Sequence, residues 1–326
     1  VSKTLLQVEN LTMHYGTRTG DVRAVDNVSF SLAEGDSLGL VGESGCGKTS
    51  IAKTLLRLLP DNAKIIGGHV WMGDTDLLAL SEEEMRKYRW SRISMVFQAA
   101  MNSLNPVYTV GDQINEALEL HLGVMDNKQS RDRISELFDL VGLDESFIDR
   151  YPHEFSGGMR QRAVIAMALS CNPDLIIADE PTTALDVIVQ DRVLRKLEEV
   201  QAKLGMSMIY ISHDIAVIAE VSNRIGVMYA GQLVELADSV EIFERPLHPY
   251  TFALMKSFPS IKGQRQILQP LEGEPPNLIT PPSGCRFHPR CPRATQICID
   301  EVPEFKDYGN NHYAACWHPM EEGDYK

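Results

Sequence analysis

The sequence predicts an α/β domain built on a largely parallel sheet, carrying a helical insert and followed by an irregular tail. Three observations predict it. Short apolar runs of strand length, in SLGLV, ISMVF, DLIIADE, MSMIYIS and RIGVMY, alternate with helical stretches such as residues 191–204, the pattern of parallel strands joined by crossover helices. Between about residues 102 and 169 the strand-like runs stop, and helical periodicity takes over in GDQINEALELH, RDRISELFDLVG and GGMRQRAVIAMAL. After about residue 259 the texture changes again: eight of the seventeen prolines lie between residues 259 and 292, which denies that stretch long helices and central strands.

Ahead of the first of these runs, LLQVEN and AVDNVSFSL read as two further strands, the second with Val25, Val28, Phe30 and Leu32 in near alternation. The expected division is a main domain over 1–258, its helical part at about 102–169, and a tail over 259–326. There is no internal repeat or low-complexity tract. With 44% hydrophobic residues in 326, a substantial core is expected. Lys and Arg number 31 against 45 Asp and Glu, and the net charge of -14 argues against nucleic acid as the main partner. No apolar run approaches the length of a spanning helix, and VSKTLLQVEN lacks a signal-peptide layout, so the chain is expected to be soluble and intracellular. In a reducing compartment, grouped cysteines point to metal or cluster binding before disulfides.

Residues 42–49, GESGCGKT, fit G-x-x-x-x-G-K-[ST] at a strand-to-helix junction. Such glycines let the backbone curl so that successive N–H groups face a phosphate at the helix N-terminus. The candidate cradle is Gly42, Ser44, Gly45, Cys46, Gly47, Lys48, Thr49 and Ser50, with Lys48 neutralising β and γ phosphate charge and Thr49 ligating Mg2+. Cys46 fills a loop position with no required side chain, and Cys171 precedes a buried strand; both read as small packing residues. In LIIADE, four apolar residues end in Asp179 and Glu180, carboxylates at the edge of a sheet where ligands bind. Asp179 is placed to hold a Mg2+ water and Glu180 to accept a proton from an attacking water.

Between these elements, FSGGMRQR opens a helix with Ser156, Gly157 and Gly158, a second anion cradle of bare N–H groups and helix dipole. Two phosphate-binding ends in one chain are most simply used by two chains facing head to tail, each giving its SGG turn to the other's nucleotide. At this point residues 4–258 closely resemble the ABC ATPase family. The resemblance rests on GESGCGKT, VFQ, SGGMRQ, LIIADE, PTTALD and ISHD in order. It implies a P-loop NTPase of ABC type: a RecA-like core, an N-terminal antiparallel β subdomain, an inserted helical subdomain, and hydrolysis of ATP with Mg2+. By the same resemblance, Tyr15 stacks on adenine, Gln98 senses Mg2+ and the attacking water, Asp186 belongs to the D-loop, and His213 contacts the γ-phosphate.

MNSLNPVYTVGDQI and RPLHPYTFALMKSFP narrow the resemblance to ATPases of oligopeptide and dipeptide importers, a group that also serves nickel and oligosaccharides. QAAMNSLNP departs from the group, which usually has an acid soon after the glutamine, where Ala99 and Ala100 stand. The implied partners are a second ABC ATPase subunit, identical or different, two transmembrane permease subunits and an extracytoplasmic solute-binding protein, with the chain peripheral at the cytoplasmic face of the membrane. In the tail, Cys285, Cys291, Cys298 and Cys316 are spaced C-x5-C-x6-C-x17-C. Four thiolates would staple a segment too proline-rich for its own core. The resemblance favours a [4Fe-4S] cluster on these four; Zn2+, disulfides and free thiols are the alternatives, with His288, His312 and His318 as candidate further ligands. Two other functional classes compete: a soluble ABC protein of translation or DNA repair, and a nucleotide-binding module that senses redox state.

Overall fold

The computed structural model describes residues 3–98, 103–123, 126–183, 185–257 and 271–325. In chain order its first elements are β1 (Thr4–Thr17), β2 (Gly20–Ala33), β3 (Ser37–Val41), α1 (Lys48–Leu55), β4 (Ala63–Met72), β5 (Thr75–Asp76), α2 (Glu82–Tyr88) and β6 (Ile93–Val96). There follow α3 (Val110–Leu122), α4 (Asn127–Val141), α5 (Gly157–Leu169), β7 (Leu175–Asp179), α6 (Val187–Leu204), β8 (Ser207–Ser212) and α7 (Ile215–Val221). The last are β9 (Arg224–Tyr229), β10 (Gln232–Asp238), α8 (Ser239–Glu244), α9 (Pro249–Lys256), α10 (Gln296–Asp300), β11 (Lys306–Asp307) and β12 (Tyr313–Ala314). They form two compact units, one of residues 1–5, 32–37 and 77–211, the other of 6–31, 38–76 and 212–326. Ala99, Ala100, the start of the helical insert at 102 and the division at 258/259 lie outside the described residues.

In the first unit β6, β7 and β8 are parallel neighbours, Ile93 facing Leu175 and Leu175 facing Ser207. Every residue of β7 is buried, as its unbroken apolar run requires of a strand covered on both faces. Helices α3, α4 and α5 pack on one another. Side chains satisfy the orphan N–H groups at their starts: Thr109 for α3, Asp126 for α4, Ser156 for α5. Helix α2 carries a full capping box between Ser81 and Glu84.

In the second unit a four-stranded sheet runs in the order β2-β1-β4-β5, with β4 antiparallel to β1 and to β5. Strand β3 lies parallel to β9, from Leu38 opposite Arg224 to Val41 opposite Val227, and β10 is antiparallel to β9. The tail departs from the expectation of a separate, irregular appendage. Its β12 pairs antiparallel with β10, Glu235 opposite Ala314, and β11 pairs with β12. The reason is physical: β10 alone would present a row of unpaired N–H and C=O groups, and the tail covers that edge. The four-stranded sheet is the N-terminal antiparallel β subdomain that the resemblance implies. Buried Glu235 helps fix the junction by accepting from the Leu247 N–H at 2.6 Å and the His248 N–H at 2.8 Å, and it pairs with His312 Nε2 at 2.7 Å.

Candidate nucleotide site and cysteine pocket

The phosphate loop belongs to the second unit. Buried β3 ends at Val41, and α1 starts at Lys48. Between them Gly42 and Gly47 adopt φ 148 and φ 109, the left-handed region that disfavours a Cβ. A Cβ would also stand 2.1 Å from the Met228 carbonyl oxygen at Gly42, and 2.1 Å from that of Ala24 at Gly47. The loop is thereby pressed onto its supports with Ser44 and Gly45 exposed. Lys48, only 6% exposed, folds over it and donates to the carbonyls of Gly42 at 2.7 Å and Glu43 at 3.1 Å. That ammonium can exchange carbonyl partners for phosphate oxygens. Cys46 Sγ lies 3.5 Å from Lys48 Nζ. Burial pushes its thiol up, against the pull of Lys48, consistent with a packing thiol. Thr49 and Ser50 occupy the first turn of α1, and the Ser50 hydroxyl meets the Tyr15 hydroxyl at 3.2 Å. Tyr15 is thus tied to the helix that follows the loop.

The carboxylates belong to the first unit. Asp179 closes β7 at 1% exposure. Glu180, the next residue, has φ 46, a costly conformation for a glutamate and one found at functional sites. Its N–H donates to the Ile211 carbonyl at 2.8 Å. Its Oε2 accepts from Gln98 Nε2 at 3.0 Å and from the Thr183 hydroxyl at 2.8 Å. Gln98 and Glu180 are both readable in sequence, whereas their contact is not. Thr183 escaped the sequence reading, although its place three residues on, in PTTALD, carries the signal.

In the same unit, Ser156 caps α5 by accepting from the Met159 N–H at 3.3 Å. A Cβ on Gly158 would lie 2.6 Å from Val189, so this glycine also lets α6 approach α5. The Asp186 carboxylate accepts from the Val189 N–H at 3.0 Å and caps α6. Ser156, Gly157, Gly158 and Asp186 line one pocket together with Arg162, Arg192 and Lys196. Burial, then the neighbouring Arg192, lowers the pKa of Arg162. His213 belongs to the second unit, where it is exposed between β8 and Asp214, the N-cap of α7.

Cys285, Cys291, Cys298 and Cys316 line one narrow pocket of about 10 Å3, with His288 and His318 on its wall. The backbone draws them in: the Cys285 N–H donates to the Cys298 carbonyl at 2.8 Å and the Cys291 N–H to the His288 carbonyl at 3.3 Å. Burial, with added repulsion from the other cysteines, pushes the thiols up to about 11 for Cys285 and about 12 for Cys316. Among the described residues, no group of three or more His, Cys, Asp or Glu side chains is drawn close enough to hold a metal ion. The four thiols match the donors of a cluster in kind and number; their present spacing is not that of ligands on one ion. His312 faces Glu235 instead of the pocket. A second feature escaped the sequence reading: between Cys285 and Cys291, Arg290 reaches the Glu43 carboxylate of the phosphate loop at 2.7 and 3.0 Å.

A glycine-rich phosphate loop with a folded-over lysine, a buried strand ending in two acids and a glutamine on the second acid define a P-loop ATPase of the ABC type. Residues 25–183 match the ABC transporter family, and residues 234–298 match the C-terminal region of oligopeptide/dipeptide transporters. A probable peptide ABC transporter ATP-binding protein of Sinorhizobium fredii is 46% identical over 97% of this chain and 96% of its own length. The dipeptide transport ATP-binding protein DppD of Bacillus subtilis is 44% identical over 96% and 94%. The oligopeptide transport ATP-binding protein OppD of Escherichia coli is 42% identical over 98% and 94%. Among solved structures, the ATP-binding cassette MJ0796, dimeric in a post-hydrolysis state with ADP and Pi, aligns with TM-score 0.64 at 28% identity, covering 72% of this chain and 98% of that one. The chain belongs to the ABC transporter ATP-binding family, in the branch that carries the oligopeptide/dipeptide transporter C-terminal region. As a member of that family it hydrolyses ATP.

Proposed function

We propose that this chain couples ATP hydrolysis to the import of dipeptides or oligopeptides. The observation that supports the catalytic part best is the Glu180 carboxylate, held by Gln98 and Thr183 directly after buried Asp179. Lys48 exchanges its carbonyl partners for β and γ phosphate oxygens, and the N–H groups of residues 44–50 face the phosphates. Glu180 accepts a proton from water as the water oxygen bonds to the γ-phosphorus and the bond to the ADP oxygen breaks. Gln98 orients that water, and His213 steadies the γ-phosphate. Thr49, Asp179 and Gln98 would hold Mg2+, which when bound neutralises phosphate charge. Tyr15 packs on the adenine.

Ser156, Gly157 and Gly158 serve the nucleotide of a facing cassette, with Asp186 at the same junction, so that hydrolysis loosens the pair and releases a conformational step. The facing cassette is a second ABC ATPase, of the same or a different kind. The pair works at the cytoplasmic face of the membrane on two permease subunits, supplied by an extracytoplasmic solute-binding protein. No helix among the described residues is long and apolar enough to cross a membrane; the pathway belongs to those subunits. The names of the relatives support peptide cargo.

The test is a pair of variants. Lys48→Ala is expected to abolish ATP binding. Glu180→Gln is expected to keep binding while hydrolysis falls by about a hundredfold or more; near-normal turnover of Glu180→Gln would remove it as the base.

For the tail we propose a [4Fe-4S] cluster on Cys285, Cys291, Cys298 and Cys316, supported by their shared pocket. When bound, the cluster supplies a covalent staple for a lobe with little core of its own. Iron and acid-labile sulfide in anaerobically purified protein are the expected result. Stoichiometric zinc without sulfide would replace the cluster by the zinc alternative, and neither would leave four thiols.

A further inference from the structure

Glu43 is the first variable position of the phosphate loop, where the motif asks for no particular side chain. In this chain all three of its polar groups are held. Its N–H donates to the Tyr250 hydroxyl at 3.0 Å, its carbonyl accepts from Lys48 Nζ at 3.1 Å, and its carboxylate takes two N–H bonds from Arg290 at 2.7 and 3.0 Å. The pair is sheltered, with side-chain exposures of 5% for Arg290 and 26% for Glu43, so salt screens it poorly. Arg290 is fixed from behind: Nε donates to the Glu272 carbonyl at 2.9 Å and Nη1 to the Tyr229 hydroxyl at 3.2 Å. It ends the single 3-10 turn His288–Arg290, and Cys285 and Cys291 of the thiol pocket flank that turn.

A carboxylate on the loop that receives a triphosphate repels its ligand unless a cation compensates it. Lys48 is the loop's own cation, yet its ammonium is committed to loop carbonyls and, on binding, to phosphate. We infer that Arg290 is a positioning residue of the ATP site: it compensates the charge of Glu43 and holds that carboxylate against the cysteine lobe, so the lobe sets nucleotide affinity. The inference rests on the reading that the Lys48 loop takes the triphosphate. A bidentate guanidinium–carboxylate pair suits this role because it fixes direction as well as charge. A second arginine of the lobe, Arg286, binds Asp26 and the Ala230 carbonyl in the same unit. The lobe thus grips residues of β2 and of the β9–β10 turn that neighbour the loop's supports, as well as the loop itself.

The experiment is equilibrium binding of MgATP by the chain, followed calorimetrically for the natural protein, Arg290→Gln, Glu43→Gln, the double variant and Lys48→Ala. Arg290→Gln is expected to weaken binding roughly tenfold, because it leaves a sheltered carboxylate uncompensated. Glu43→Gln is expected to bind as tightly as the natural protein or tighter, since it removes the repelling charge and keeps the cation. The double variant is expected to return to within about threefold of the natural affinity. A purely structural clamp predicts the opposite sign for Glu43→Gln and no rescue. The inference is overturned if Arg290→Gln binds within about twofold of the natural protein, or if the double variant is as weak as Arg290→Gln. Should Arg290→Gln not fold, Glu43→Gln alone decides, weaker binding being the contrary result. Failure of the underlying reading looks different: the natural protein would not bind MgATP, or Lys48→Ala would bind it equally well.

Discussion

Gly47 shows how little freedom single positions of the site have. Its φ of 109 and the Ala24 carbonyl oxygen 2.1 Å from a would-be Cβ demand a residue without a side chain. Gly47→Ala is expected to cost about 2 kcal/mol or more in stability, through strain and displacement of the loop, and to abolish ATP binding. A lowered melting temperature together with a flat binding isotherm checks it, and unchanged values in both would show that the loop yields more easily than its geometry suggests. At this scale the sequence was informative wherever a residue stands inside a contiguous motif, as Lys48, Asp179 and Glu180 do. It was silent where the partner is remote. Glu43 and Arg290 are 247 positions apart, and nothing local to either one announces the other.

At the scale of elements, caps and glycines carry more than one duty. Asp186, which the family resemblance assigns to the D-loop, caps the 18-residue α6. The two duties separate by substitution. Asp186→Ala is expected to lower stability by about 1 kcal/mol through loss of the cap, while Asp186→Asn, an equally good cap, keeps it. Turnover that falls in both variants while stability falls only in the first would assign the carboxylate a part in the reaction cycle beyond capping. Elements with strong periodicity or long apolar runs, such as β7, β8 and α6, were legible in the sequence. Strand β4 was not, since its Gly67–Gly68 pair interrupts the alternation in AKIIGGHVWM. The two-residue β12 is too short for any periodic signal, and it exists because β10 offers an edge to cover.

Across the whole molecule the features divide into a unit with the glycine-rich loop and the cysteine lobe and a unit that carries Asp179, Glu180 and the Ser156 turn. Against the acidic balance of the chain, -14, cations gather at two places: Lys48 on the loop, and Arg162, Arg192 and Lys196 around Ser156. The proposed role of the Ser156 turn at a nucleotide requires another cassette to face it. The direct measurement is sedimentation velocity of Glu180→Gln, alone and mixed with the second ATPase subunit of its transporter, with and without MgATP. A species of twice the mass, appearing with MgATP and lost when Ser156→Arg is added, is the predicted result. No species heavier than one cassette in either sample, or a pairing indifferent to MgATP, would contradict the sharing of nucleotide between two chains.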